Sequence, residues 1–134
     1  MALAHITLAT RDVARAKAFF AEVFGWRPIS RPANIGRAAA WLEIGPGVEL
    51  HLIEDPEFEP SPFEREYGRH VAVTVPLDRF PALRERLATR GATLIEPIRD
   101  TPFRRFFFRD PDGYVFEVVE ERGDEPRPVE SNGQ

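Results

Sequence analysis

The chain contains the same pattern twice. HITLAT, starting at His5, matches HVAVTV, starting at His70. Gly25 matches Gly91, and WLEIGPGVELHLIE from Trp41 matches FFRDPDGYVFEVVE from Phe107. A repeat of this length narrows the possible folds more than any composition does. Each copy must be one supersecondary unit, and the two copies must bury their apolar faces against each other.

Within the first copy, LAHITLA (3–9) alternates like a strand. In RDVARAKAFFAEVFG, apolar Val13, Ala16, Phe20, Val23 and Phe24 fall at helical spacing, with Asp12 as N-cap and Gly25 as terminator. Strands follow at 26–31, 37–44 and 48–54, the last two joined by the GPG turn at 45–47. DPEFEPSPFEREYG, rich in proline and acid, reads as a linker over 55–68. The order then recurs: a strand at 69–75, a helix across LDRFPALRERLATRG with Pro81 in its first turn, and strands at 92–96, 104–109 and 114–120. The expected fold class is α+β: two tandem βαβββ modules, each a curved mixed sheet forming a half-barrel. The expected organisation is one domain over 1–121, with repeats at 3–54 and 69–121. A polar tail over 122–134 is expected to be disordered.

The last strand poses a chemical problem. In YVFEVVE, Phe116 and Val118 share one face, and Val115, Glu117 and Val119 the other. Both faces read as buried, yet a lone buried carboxylate costs several kcal/mol unless something compensates it. The repeat suggests the compensation. His5 and His70 are equivalent positions, and His51 and Glu117 are equivalent positions. These are all three histidines of the chain, plus one carboxylate. If the half-barrels bring them together, three imidazoles and a carboxylate make a site for one divalent transition metal: Zn, Ni, Fe, Mn or Co. Glu49 lies on the face of His51, two residues earlier, and is the alternative ligand from that strand. The competing reading of Glu117 is an ion pair with one of the many arginines. Arg104 and Arg105 are read as solvated, and Phe103, Phe106 and Phe108 as packing on the helices. Trp41 and Phe107 are equivalent positions that either line the cavity or pack.

Other classes are excluded or disfavoured. The 18 lysines and arginines are outnumbered by 22 acids and form no block, giving a net charge of −4 and no nucleic-acid surface. Without cysteine there is neither a disulfide nor a thiolate metal site. No apolar run approaches the ~18 residues of a membrane span, and the N-terminus lacks the pattern of a signal peptide. The expectation is a cytoplasmic protein with no membrane or nucleic-acid partner.

The doubled βαβββ pattern, the histidines in its strands and RDPDGYVFEVVE together resemble the vicinal oxygen chelate superfamily. Its members include glyoxalase I, methylmalonyl-CoA epimerase, extradiol dioxygenases, fosfomycin-resistance enzymes and bleomycin-binding proteins. The resemblance covers residues 3–121. It implies a glyoxalase-like fold around a metal held at His5, His51, His70 and Glu117. It also implies a small-molecule substrate bound through two neighbouring oxygens, and a homodimer with cavities built from paired half-barrels, often one from each chain. With every histidine a ligand, Glu117 is the candidate proton carrier. That favours lyase or isomerase chemistry of the glyoxalase or epimerase kind. Glyoxalase I itself carries glutamate or glutamine where this chain has His51, and an arginine where it has Ala9. The potassium- or thiol-binding loops of fosfomycin-opening enzymes cannot be placed. The alternatives are a drug-binding protein of the bleomycin-resistance kind, metal-free or metal-assisted, and a small dioxygenase.

Overall fold

The computed structural model describes residues 1–123 and 127–131. The first module runs β1 (His5–Thr10), α1 (Val13–Phe24), β2 (Arg27–Ile29), β3 (Ala39–Gly45) and β4 (Val48–Glu54). The second runs β5 (Val71–Val75), α2 (Phe80–Thr89), β6 (Thr93–Ile95), β7 (Arg105–Arg109) and β8 (Val115–Glu120). Each module is a four-stranded mixed sheet, ordered β1-β4-β3-β2 and β5-β8-β7-β6. In both, the first and last strands pair parallel and the remaining pairs are antiparallel. The expected α+β fold of two βαβββ modules is therefore what forms, and the sequence repeat is a repeat of register. Thr7 stands opposite His51 as Ala72 stands opposite Glu117, and Trp41 opposite His51 as Phe107 opposite Glu117.

Local chemistry sets the element ends. The Asp12 side chain accepts the Arg15 N–H, and Gly25 closes α1 in the left-handed region at φ 72°. The sheet-edge strands β2 and β6 are shorter than the expected 26–31 and 92–96. Pro28 has no N–H to give a ladder, and Pro97 closely follows β6. A 3-10 turn over Leu77–Arg79 precedes α2, whose start lies at Phe80 with Pro81 in the first turn. The tail expected to be disordered falls partly outside the described residues; 127–131 carry no regular structure.

Strand alternation sends Leu8, Leu42, Leu50, Leu52, Phe106, Phe108, Phe116 and Val118 to the helix side, where all are buried. The other side of each sheet carries His5 and His51, or His70, Phe107 and Glu117. The two modules share one core. Phe20 of α1 lies 5.5 Å (ring centroids) from Phe116 of β8, and Phe24 lies 5.9 Å from Phe108 of β7. Polar ties reinforce this packing. Asp112, buried in the turn before β8, accepts from the Thr10 hydroxyl at 2.5 Å, the Arg11 N–H at 3.1 Å and the Arg15 guanidinium at 2.9 Å. The Tyr114 hydroxyl donates to the Ala9 carbonyl at 2.8 Å.

The same turn contains a carboxyl with an unusual titration. Asp110 is pushed up to about 7 by burial and by the neighbouring Asp112 charge, although its Oδ1 accepts the N–H groups of Asp112 and Tyr114. With a folded pKa above the unfolded one, the folded state keeps a proton that the unfolded chain has lost. Stability from this group is full below the unfolded pKa and declines as pH rises toward 7. Asp110→Asn retains the accepting Oδ1 and never ionises. Its melting temperature relative to wild type is expected to improve between about pH 5 and about pH 8. A difference that stays constant across that range would show that Asp110 is ionised throughout.

Candidate metal centre

The four anticipated residues form two pairs, one per module. In the first, His5 and His51 stack with ring centroids 4.0 Å apart and planes 19° from parallel. Trp41 closes the other face of His51 at 3.8 Å and 7°. The His51 Nε2 meets Glu49 Oε1 at 2.8 Å, so Glu49 orients His51. His5 is exposed at the start of β1.

In the second pair, His70 Nε2 lies 3.3 Å from Glu117 Oε1. His70 directly precedes β5 and follows a tight turn in which the Arg69 N–H bonds the Phe63 carbonyl at 2.7 Å. A Cβ at Gly68 would run into that carbonyl, so the turn that places His70 needs a glycine. The His70 Nδ1 faces the Arg65 carbonyl at 3.2 Å, and its ring stands edge-on to Phe107. The two sheets thus keep their donors apart. Among the described residues of one chain, no three His, Cys, Asp or Glu side chains converge as a metal ion requires.

The pair His70 and Glu117 nevertheless fits a divalent cation. Donors about 2.1 Å from an ion, on neighbouring corners of its coordination sphere, stand roughly 3 Å apart. Imidazole nitrogen with carboxylate oxygen suits the transition metals named above. The stacked rings of His5 and His51 do not have this arrangement.

Arg105, expected from the sequence to be solvated, is buried. Its guanidinium donates to Glu117 Oε2 at 3.0 Å, to Glu66 Oε2 at 3.1 Å and to the Arg99 carbonyl at 2.6 Å. Glu117 therefore has a counter-charge from the protein itself, in line with the ion-pair alternative. Glu66, in the segment between the modules, also accepts the N–H groups of Ile98 and Arg99 at 2.7 and 2.9 Å. Burial pushes its carboxyl up, but these bonds and the contact with Arg105 outweigh burial and hold it below the usual range. The two carboxylates outweigh burial at Arg105 as well, and raise its already high pKa.

Phe106 and Phe108 pack against the helices as expected, but Phe103 does not; it lies half-buried with the Arg122 guanidinium 4.4 Å from its ring centre. Arg104 is exposed, also as expected. Trp41 stacks on His51, and Phe107 is buried between His70 and Arg105. Tyr114 lies on the helix side of β8, away from the face of Glu117. Burial and the Asp110 charge push its hydroxyl up to about 12.

Two fused βαβββ modules, each with imidazole or carboxylate donors on the sheet face away from its helix, define a paired-module α+β protein. The chain belongs to the Glyoxalase/Bleomycin resistance protein/Dioxygenase superfamily, whose family model matches residues 2–118. It is 33% identical over 117 residues to the glutathione transferase FosA of Serratia marcescens, covering 87% of this chain and 78% of that protein. It is 26% identical over 120 residues to Glyoxylase I 4 of Arabidopsis thaliana, covering 87% and 68%. Among solved structures, the fosfomycin resistance protein FosX of Listeria monocytogenes shares the fold, with TM-score 0.74, 22% identity and coverage of 90% and 91%. The similar proteins thus include a fosfomycin resistance protein. No helix among the described residues is long and apolar enough to cross a membrane.

Proposed function

We propose that the protein is a metal-dependent enzyme that binds a small molecule through two neighbouring oxygens and moves a proton next to them, as a lyase or isomerase of the glyoxalase or epimerase kind. The site would be completed in a homodimer, where the first module of one copy, with His5 and His51, faces the second module of the other, with His70 and Glu117. The observation that carries this reading is the His70–Glu117 pair, held at 3.3 Å where, among the described residues, no third His, Cys, Asp or Glu converges with it. A FosX structure from Listeria monocytogenes described as complexed with Mn(II) and a dihydroxypropylphosphonic acid supports the metal and the oxygen-rich ligand by analogy.

A cation bound there would act as a Lewis acid on the substrate oxygens. The protein side chains do the rest. Glu117 Oε1 would let go of the cation as substrate binds, take the proton and return it, while Oε2 stays anchored on Arg105. His70 is held by the Arg65 carbonyl through Nδ1, which leaves Nε2 facing the site. Phe107, almost fully buried, keeps water from the inner side of Glu117.

The test begins with purification without chelators, loading separately with Mn, Fe, Co, Ni and Zn, and elemental analysis. About one ion per chain is expected. The loaded protein is then screened against 2-oxo thiohemiacetals, acyl-CoA epimers, fosfomycin and catechols, which separates lyase, isomerase, transferase and dioxygenase chemistry. No stoichiometric uptake of any ion would instead favour a metal-free binding module. The Trp41–His51–His5 stack favours that second reading, because it offers a flat aromatic surface with its own carboxylate, Glu49.

A further inference from the structure

We propose that Arg105 is a positioning residue that makes Glu117 a one-oxygen donor. The inference rests on the reading of Glu117 as a metal ligand. A buried guanidinium has a rigid fork, and here both terminal arms of the fork are committed. One arm holds Glu117 Oε2; the other holds Glu66 Oε2 and the Arg99 carbonyl. Only 3% of the Arg105 side chain is exposed, so the carboxylate it grips cannot trade that contact for water. Glu66 is fixed independently by two backbone N–H groups, and the fork is therefore anchored at its far end. With Oε2 turned to Arg105, the oxygen that Glu117 presents to another partner is Oε1, the one already beside His70.

The charge count leads to the same place. Glu66 and Glu117 bring two negative charges and Arg105 one positive charge, so the buried trio keeps one negative charge. Its free oxygen is Glu117 Oε1. A cation bound there would meet that remaining negative charge, and Arg105, already engaged on Oε2, does not compete with it for Oε1. Partners of this kind behind a ligand orient it, and their loss typically weakens metal binding.

Arg105→Met alone would leave two buried carboxylates facing each other and can unfold the chain. The informative variant is the double substitution Arg105→Met/Glu66→Gln. It removes the fork but leaves the cluster with the same single negative charge, on Glu117. Titration with Co(II), followed by visible absorption, reads both affinity and coordination number. The double variant, shown by circular dichroism to be folded, is expected to bind about 10–100-fold more weakly than wild type. Its d–d bands should also be shifted and weakened, as Glu117 closes on the ion with both oxygens. Wild-type affinity and an unchanged spectrum in the double variant would overturn the proposal and leave the metal site standing. Failure of the wild-type protein to bind Co(II) would overturn the metal reading and this inference together. Arg105→Lys keeps the charge but cannot span both carboxylates. It should bind with intermediate affinity; wild-type behaviour in that variant would also count against a role for the fork.

Discussion

Glu117→Gln is expected to lower turnover by about 10²–10⁴, the usual contribution of one general base, in assays kept saturated with metal. The amide cannot accept a proton at neutral pH. Saturating metal is required because of Arg105. The carboxylate has one oxygen for Arg105 and one for the open side, at 3.0 Å from the guanidinium and 3.3 Å from His70 Nε2. An amide has a single oxygen and a donor NH₂. Turned toward Arg105, the NH₂ would set donor against donor, so the oxygen is expected to stay with Arg105 and the NH₂ to face His70. Metal affinity should therefore fall as well, and the effect on chemistry must be separated from the effect on binding by titrating the ion. If the variant with metal bound turned over at the wild-type rate, Glu117 would be a ligand without a proton-carrying role. Glu49 would then be the nearest remaining carboxylate among the predicted site residues.

The parts of this site that can be read from the sequence share one property: the repeat or the strand period fixes them. The match of Trp41 to Phe107 and of His51 to Glu117 is enough to set β3 on β4 and β7 on β8 in equivalent registers, because a two-residue period admits only one facing. Arg105 escapes that reading although its signal is present. It stands two residues before Phe107, which pairs with Glu117, and so shares the face of Glu117. The usual preference of arginine for solvent points the other way, and beside a run of phenylalanines the local period outweighs that preference. Glu66 and Glu64 carry no such signal. They sit in a proline-rich acidic segment that reads as an exposed loop, yet the carboxylate of each is buried on a partner far along the chain: Arg105 for Glu66, and the Val115 N–H for Glu64. Only tertiary packing decides such cases. The separation of the donors into two pairs is likewise beyond the sequence, since the repeat predicts equivalent positions and not which copies face each other.

Mixing two defective chains is expected to restore metal binding. His5→Ala and His70→Ala should each abolish stoichiometric uptake in a homodimer, since each removes an imidazole from every site. In a heterodimer purified through two different tags, the outcome depends on how sites are assembled. If each site takes its first-module donors from one copy and its second-module donors from the other, one of the two sites combines both mutations. The other site combines intact His5 with intact His70 and Glu117. Such a heterodimer should hold about one ion, half the wild-type content, as two-fold symmetry dictates. If each site were built within one chain, every site would lack one imidazole and uptake would stay absent. The arrangement within the chain favours recovery. The modules are tied on their helix side by the packing of Phe20 on Phe116, by the grip of Asp112 on Thr10, Arg11 and Arg15, and by the Tyr114 bond to Ala9. Bringing His5 to Glu117 within one chain would require breaking those contacts and exposing the shared core around Leu8, Phe20, Phe108 and Phe116. A second copy can supply the missing imidazoles and leave all of them intact.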